Sequence, residues 1–286
     1  MATGSLADHV AAAAARLELA GLPHDEAVQS AGVLARSILG WSTADWIIRR
    51  RDAGPIDFSA RFLPLIDRRA RREPVAYILG EREFYGRPFT VTRAVLIPRP
   101  ETELVVEEAL AYAGQRPTAT IVDVGTGSGC IAVTLALEVS GARIVATDVS
   151  GPALEVAREN ARRLRADERI EFRRGEFLAG STTPVDLIVS NPPYVGEGDR
   201  ARLPPEVADF EPAGALFAGP DGLDAIRALV SVAARALARG GALILEIGQG
   251  QADAVRTLIE ATGALSVLRI RPDLQSIPRV VVAVRR

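Results

Sequence analysis

From Leu6 to about Arg72 apolar residues return every three or four positions, as in Val10, Leu17 and Leu19, and again in Val28, Val33, Leu34 and Ile38. That is the period of helices with one buried face. Pro23, after Gly21-Leu22, suits a helix start, and Gly40 followed by Ser42-Thr43 supplies a stop and a fresh N-cap. Residues 1–74 are therefore predicted to form a small all-helical domain of about four or five short helices. Between Pro74 and Pro98 the pattern changes. Tyr77, Leu79, Phe84, Tyr85, Phe89, Val91, Val95 and Ile97 are broken by Gly80, Gly86 and Pro88, which predicts a β-hairpin linker over residues 75–98.

From residue 99 to 286 strand and helix patterns alternate. Thr120–Val124, Arg143–Asp148, Ile170–Arg174, Val185–Ser190 and Ala242–Glu246 read as buried strands, and Pro152–Arg165 between two of them as an amphipathic helix. The expected fold is α/β, a doubly wound parallel sheet of Rossmann-like type. Two apolar runs follow, Val267–Ile270 and Arg279–Val284, the second read as an antiparallel addition.

Composition narrows the class of protein. A 286-residue chain that is 48% hydrophobic can bury a large core. Its one cysteine, Cys130, can form no internal disulfide, and the N-terminus lacks a signal-peptide pattern, so a cytoplasmic setting is expected. The uncharged run Val124–Leu137 is too short and glycine-rich for a membrane helix. A net charge of -2 provides no broad positive field for nucleic acid. Arginines cluster at Arg49–Arg51 and at Arg68, Arg69, Arg71 and Arg72, a pattern read as a solvated helix face.

The first strand of the sheet runs into Asp123-Val124-Gly125-Thr126-Gly127-Ser128-Gly129, where glycines let backbone approach a ligand at the carboxyl edge of the sheet. The next strand ends at Asp148, a carboxylate able to accept from ribose hydroxyls. Nicotinamide and flavin enzymes use a related turn, but their fingerprint is GxGxxG, which admits a pyrophosphate. Here the spacing is GxGxG. Adenosylmethionine carries no phosphate and fits that spacing, with Phe177 a candidate wall for its adenine.

The fourth strand runs directly into Asn191-Pro192-Pro193-Tyr194. Two prolines fix two φ angles, so that the Asn191 side chain and a backbone carbonyl can face one point and accept both hydrogens of an NH2 group. Held so, an amide or amine nitrogen directs its lone pair at a sulfonium methyl, and alignment is expected to provide much of the acceleration. Tyr194 is expected to stack over the target group. The two histidines, His9 and His24, lie in the helical region, and no Cys/His pattern suggests a metal.

With these residues in place, the chain resembles the HemK/PrmC family of glutamine N5-methyltransferases that modify peptide chain release factors. The resemblance rests on Glu73–Gly80, Phe84-Tyr85-Gly86, Ile97–Thr102, Glu211-Pro212 with Ala215-Leu216, and Asp221–Asp224, besides the Asn-Pro-Pro-Tyr turn. It implies a class I methyltransferase domain and, as substrate, the glutamine of a release factor's Gly-Gly-Gln loop, recognised with help from the helical domain. Carried onto matching positions, Gly125, Thr126, Gly127, Ser128, Gly129, Asp148, Phe177 and Asn191 would bind S-adenosylmethionine. Asn191, Pro192, Pro193 and Tyr194 would bind the glutamine, with Asn191, Pro192 and Tyr194 catalytic. A monomer is expected. The chain departs from the family at Glu176, where an aspartate is common, and in Gln275–Arg279, where a Gly- and Asp-containing turn is usual.

Two other readings use the same residues. An amino-methyltransferase gripping an extruded adenine or guanine of DNA or RNA would need a basic groove, against which the net charge and the hairpin motif weigh. A non-catalytic module that senses adenosylmethionine would be marked by a damaged target turn, and here Asn191–Tyr194 is intact.

Overall fold

The computed structural model describes residues 4–116, 118–178 and 184–286; residues 1–3 of the expected helical domain and 117 and 179–183 of the expected sheet domain lie outside it. The chain folds into two compact units. One runs up to Gly80 and also takes in Pro205–Phe210; the other comprises Glu81–Pro204 and Glu211–Arg286.

In the first unit the helices are α1 (Leu6–Leu19), α2 (His24–Leu39), α3 (Thr43–Arg49), α4 (Phe58–Ala70) and α5 (Val75–Leu79). Leu6, Leu17, Leu34, Phe58, Phe62 and Ile66 form their common core. The starts are fixed locally. Ser5 caps α1 with Asp8 and Ser42 caps α3 with Asp45, both as reciprocal capping boxes, and Gly40 ends α2 in the left-handed conformation. Residues 75–79, expected to open the hairpin, make a helical turn because Pro74 starts it and Gly80 stops it.

The arginine cluster differs from its expected solvated face. Arg69 is only 2% exposed, bonded to Glu26, to Ser30 and to the carbonyl of Glu73, and paired at 2.9 Å with Glu206. Glu206 lies on α9 (Pro205–Ala208), the late segment that packs into this unit. A buried guanidinium needs carboxylates to offset its desolvation, and those partners are remote in sequence.

In the second unit β1 (Glu81–Phe84) and β2 (Arg87–Thr90) form an antiparallel hairpin, with Phe84 and Phe89 buried edge-to-face. The main sheet contains β3 (Thr120–Val124), β4 (Arg143–Asp148), β5 (Ile170–Arg174), β6 (Val185–Ser190), β7 (Leu237–Glu246), β8 (Leu265–Pro272) and β9 (Pro278–Arg285). Its order is β5-β4-β3-β6-β7-β9-β8, parallel from β5 to β7, with β9 antiparallel to β7 and β8 antiparallel to β9. This is the predicted Rossmann-like sheet with its antiparallel end. The helices around it are α6 (Glu103–Ala113), α7 (Cys130–Glu138), α8 (Gly151–Arg163), α10 (Asp224–Ala236) and α11 (Ala252–Ala261). Strand order reverses between β3 and β6, the switch point at which open α/β sheets bind ligands. There Val124 pairs with Ser190, so the glycine-rich turn and the Asn-Pro-Pro-Tyr turn leave the sheet side by side. No helix among the described residues is long and apolar enough to cross a membrane.

Candidate active site

At the switch point a cavity of about 750 Å³ opens. It is lined by Gly125, Thr126, Gly127, Ser128, Asp148 and Phe177 on one side and by Asn191, Pro192 and Pro193 on the other. The sheet thus brings most of the sequence-predicted residues to one space. Gly129 and Tyr194 are not part of its lining.

Gly129 instead starts α7 with a φ of +81°, and a Cβ there would stand 3.1 Å from that of Ala157. Glycine is required for close packing of the turn on α8, which in turn sets where the loop amides point. Asp148 accepts from the amide of Gly127 (2.9 Å) with one oxygen and from that of Ser150 (2.8 Å) with the other. Asn160, fully buried on α8, donates to the carbonyls of Ser128 and Thr90 and accepts from the Thr90 amide, fastening the turn to the hairpin. Phe177 has a positive φ of 48° and its carbonyl accepts from Thr147 Oγ1 at 2.5 Å. Glu176, the departure from the family pattern, is exposed and lines the same cavity.

Asp123, next to last in β3, has a place in the site that the sequence does not reveal. One of its oxygens accepts from Thr126 Oγ1 (2.6 Å) and the amide of Ala132 (3.1 Å), while Oδ1 is buried without a partner among the described residues. Burial pushes its carboxyl up to about 7; the Thr126 hydroxyl and Ala132 amide pull it down, and neighbouring Asp148 adds to the rise. Burial also drives the Cys130 thiol up to about 12, so it stays a thiol, and too weak a nucleophile for covalent chemistry.

On the other side of the switch point Ser190 Oγ donates to the carbonyl of Val124 (2.7 Å), locking the two strand ends together. Asn191 follows. Its Nδ2 donates to Thr102 Oγ1 at 3.0 Å, and its Oδ1 is buried without a partner among the described residues. Thr102 Oγ1 donates to Glu246 Oε2 at 2.6 Å, and Tyr194 Oη donates to Glu246 Oε1 at 3.1 Å. Glu246 is fully enclosed at the end of β7. Burial raises its carboxyl to about 7, the hydrogen bonds from Thr102 and Tyr194 lower it, Glu101 raises it further and Arg279 draws it down. Tyr194, expected to stack over a target group, packs its ring against the core, and burial and the nearby Glu246 push its phenol well up, so it stays neutral.

The turn is held from below by distant residues. Gln251 Nε2 donates to the carbonyls of Tyr194 (3.0 Å) and Gly222 (3.3 Å). A Cβ on Gly222 would lie 2.3 Å from the Tyr194 carbonyl oxygen, so only glycine fits at that place in the Asp221–Asp224 motif. Glu211 accepts from the Ile97 amide and from Arg99, joining two further motif segments. In the divergent loop Gln275–Arg279, Asp273 accepts from the amides of Gln275 and Ile277 and from Arg279, which fastens the loop.

Known proteins carry the same combination. A profile of the PrmC N-terminal domain matches residues 8–80, and one of the methyltransferase small domain matches residues 102–203. A release factor glutamine methyltransferase of Cereibacter sphaeroides is 46% identical over 97% of this chain and 97% of its own length. That of Koribacter versatilis is 45% identical over 79% of this chain and 80% of its own. In fold, a methyltransferase crystal structure from Pyrococcus furiosus superimposes with a TM-score of 0.54 at 17% identity, covering 79% of this chain and 98% of that one. From hairpin to target turn, and over nearly the whole length, this chain belongs to the release factor glutamine methyltransferase family.

Proposed function

We propose that the chain transfers a methyl group from S-adenosylmethionine to the N5 amide nitrogen of the glutamine in the Gly-Gly-Gln loop of peptide chain release factors. The observation that carries this reading is the buried Asn191 Oδ1, an acceptor without a donor among the described residues, on a residue that lines the cavity. A buried acceptor of that kind is costly unless something donates to it, and a primary amide does.

The residues suit the cofactor. A cavity of about 750 Å³ falls in the range of roughly 300–1,000 Å³ usual for small-molecule sites. Gly125–Gly129 would face the cofactor with backbone, and Asp148 keeps lone pairs for ribose hydroxyls. Phe177 would flank the adenine. Bound there, the cofactor supplies a methyl on a sulfonium that already carries its leaving group.

The chain's own contribution is orientation. Asn191 Oδ1 and the carbonyl of Pro192 would take the two hydrogens of the glutamine amide, turning the nitrogen lone pair out of conjugation and toward the methyl. Alignment of this kind can supply several powers of ten in rate. Pro192 and Pro193 keep the turn rigid, and Tyr194, through Glu246, anchors its far end. The helical unit, with the family's N-terminal domain, would contribute to recognition of the release factor, and the chain would act as a monomer in the cytoplasm.

The test is methyl transfer from labelled S-adenosylmethionine to a purified release factor, its loop Gln→Ala variant, duplex DNA and ribosomal RNA in parallel. Label on the native factor alone, mapped to the loop glutamine by mass spectrometry, is expected. Label on either nucleic acid would replace this reading with base methylation, and cofactor binding without transfer would point to a sensing module.

A further inference from the structure

We infer that Thr102, with Glu246 behind it, is a positioning residue that sets which way round the Asn191 amide stands, and so creates the acceptor the substrate amide requires. The inference rests on the methyl-transfer reading above, since it concerns how that site is built.

A primary amide is nearly symmetric in shape. Nothing in the Pro-Pro turn itself tells Asn191 whether to present its oxygen or its nitrogen to the cavity. The distinction is chemically absolute, because the oxygen can only accept and the nitrogen can only donate. A flipped Asn191 would meet the substrate NH2 with another NH2.

The choice is made one residue away. Thr102 owns a single hydroxyl hydrogen, and it is spent on Glu246 Oε2 at 2.6 Å. The hydroxyl oxygen can then only accept, and what it accepts is Asn191 Nδ2 at 3.0 Å. The second oxygen of Glu246 is occupied by the Tyr194 hydroxyl. Thr102 and Glu246 are 1% exposed each, so water does not offer an alternative partner. With Glu246 ionised, direction therefore passes from carboxylate to hydroxyl to amide, and leaves Asn191 Oδ1 without a partner among the described residues, as an acceptor. Thr102 comes from the segment before α6, Glu246 from the end of β7 and Asn191 from the end of β6, so the device is assembled by the fold.

Two readouts test it together. Thr102→Val keeps the shape and removes the hydroxyl, while Thr102→Ser keeps the hydroxyl. Turnover on the release factor is expected to fall about tenfold in Thr102→Val at unchanged calorimetric affinity for S-adenosylmethionine, and to return within about twofold of the parental value in Thr102→Ser. The second readout needs no activity: exchange of the Asn191 side-chain NH2 protons, assigned by their loss in Asn191→Asp, should be slow in the parental chain, faster in Thr102→Val and slow again in Thr102→Ser. Parental turnover in Thr102→Val, or an Asn191 NH2 indifferent to the hydroxyl, overturns the inference. If the parental chain itself transfers no methyl to the release factor, the functional reading fails, and the exchange experiment still decides the positioning role.

Discussion

The two turns that leave the sheet at the switch point are built in opposite ways. The glycine-rich turn is bonded within its own stretch, Asp123 to Thr126 and Ala132, and to the end of the adjacent strand, where Thr147 accepts from the amides of Gly125 and Thr126 and Asp148 from that of Gly127, with Asn160 holding Ser128. The Asn-Pro-Pro-Tyr turn holds rigid φ angles but draws its support from Thr102, Gly222, Glu246 and Gln251. A loop that only has to offer backbone to a ligand can be specified by local conformation. A side chain that must present one lone pair to a poor nucleophile needs its far end held, and the holding groups come from wherever the fold brings them.

That contrast predicts different failures. Asn191→Ala removes the acceptor and should cut turnover about a hundredfold or more while leaving cofactor affinity nearly unchanged. Steady-state rates beside calorimetry decide it, and parental turnover in the variant would remove Asn191 from the mechanism. Asp148→Ala should show the reverse order of damage, weakening cofactor binding first. A charge-assisted hydrogen bond contributes roughly 1.5–3 kcal/mol, equivalent to about ten- to a hundredfold in the dissociation constant. Equal loss of turnover and affinity in both variants would mean that the two turns act as one site and that the division drawn here is false.

The same contrast explains what could be read from the chain. Strands β3 to β6 were legible because each is a short apolar run flanked by glycine, proline or acidic residues, and the turns after β3 and β6 carry their chemistry in consecutive letters. Asp123 stands in plain view in the sequence, but that one of its oxygens finds no partner among the described residues is a property of packing. Glu246 read as the last letter of a buried strand. Its link to Thr102 spans 144 positions, and no spacing rule covers such a distance. Arg69 departs from its pattern for a related reason: helical periodicity puts it among surface arginines, and the carboxylates that make its burial tolerable, Glu26 and Glu206, come from other segments, one of them far down the chain. Tyr194 was read as a stacking ring because aromatic residues after such turns invite that role, whereas its hydroxyl has a buried carboxylate to satisfy.

Distant support can be broken without touching the target turn. Gly222→Ala would put a methyl group 2.3 Å from the Tyr194 carbonyl oxygen, at a residue whose φ is +73°, so the turn has to move. A displacement of the order of an ångström is enough to misalign the reacting atoms, and a loss of turnover of about tenfold is expected, with cofactor affinity retained. A variant that loses cofactor affinity instead would place Gly222 in support of the other turn.

The smallest effect concerns stability and isolates Glu246. In an unfolded chain its carboxyl titrates near 4.5, and in the folded chain burial raises it to about 7. Between those two values the folded state keeps a proton that the unfolded state has released. The folded state then binds more protons, so stability must fall as pH rises through that window and level off above it. Asp123, raised to about 7 from 3.8, contributes a second decline of the same sign. Glu246→Gln removes its own contribution and keeps a hydrogen-bonding amide in place. Melting temperature followed from about pH 4.5 to 7 should therefore fall less steeply in the variant than in the parental chain, with Asp123 and Glu211, whose carboxyl burial also raises, contributing to the slope that remains. Identical slopes would mean that Glu246 holds no extra proton in the folded state, and that its bonds to Thr102 and Tyr194 outweigh the cost of burying its charge.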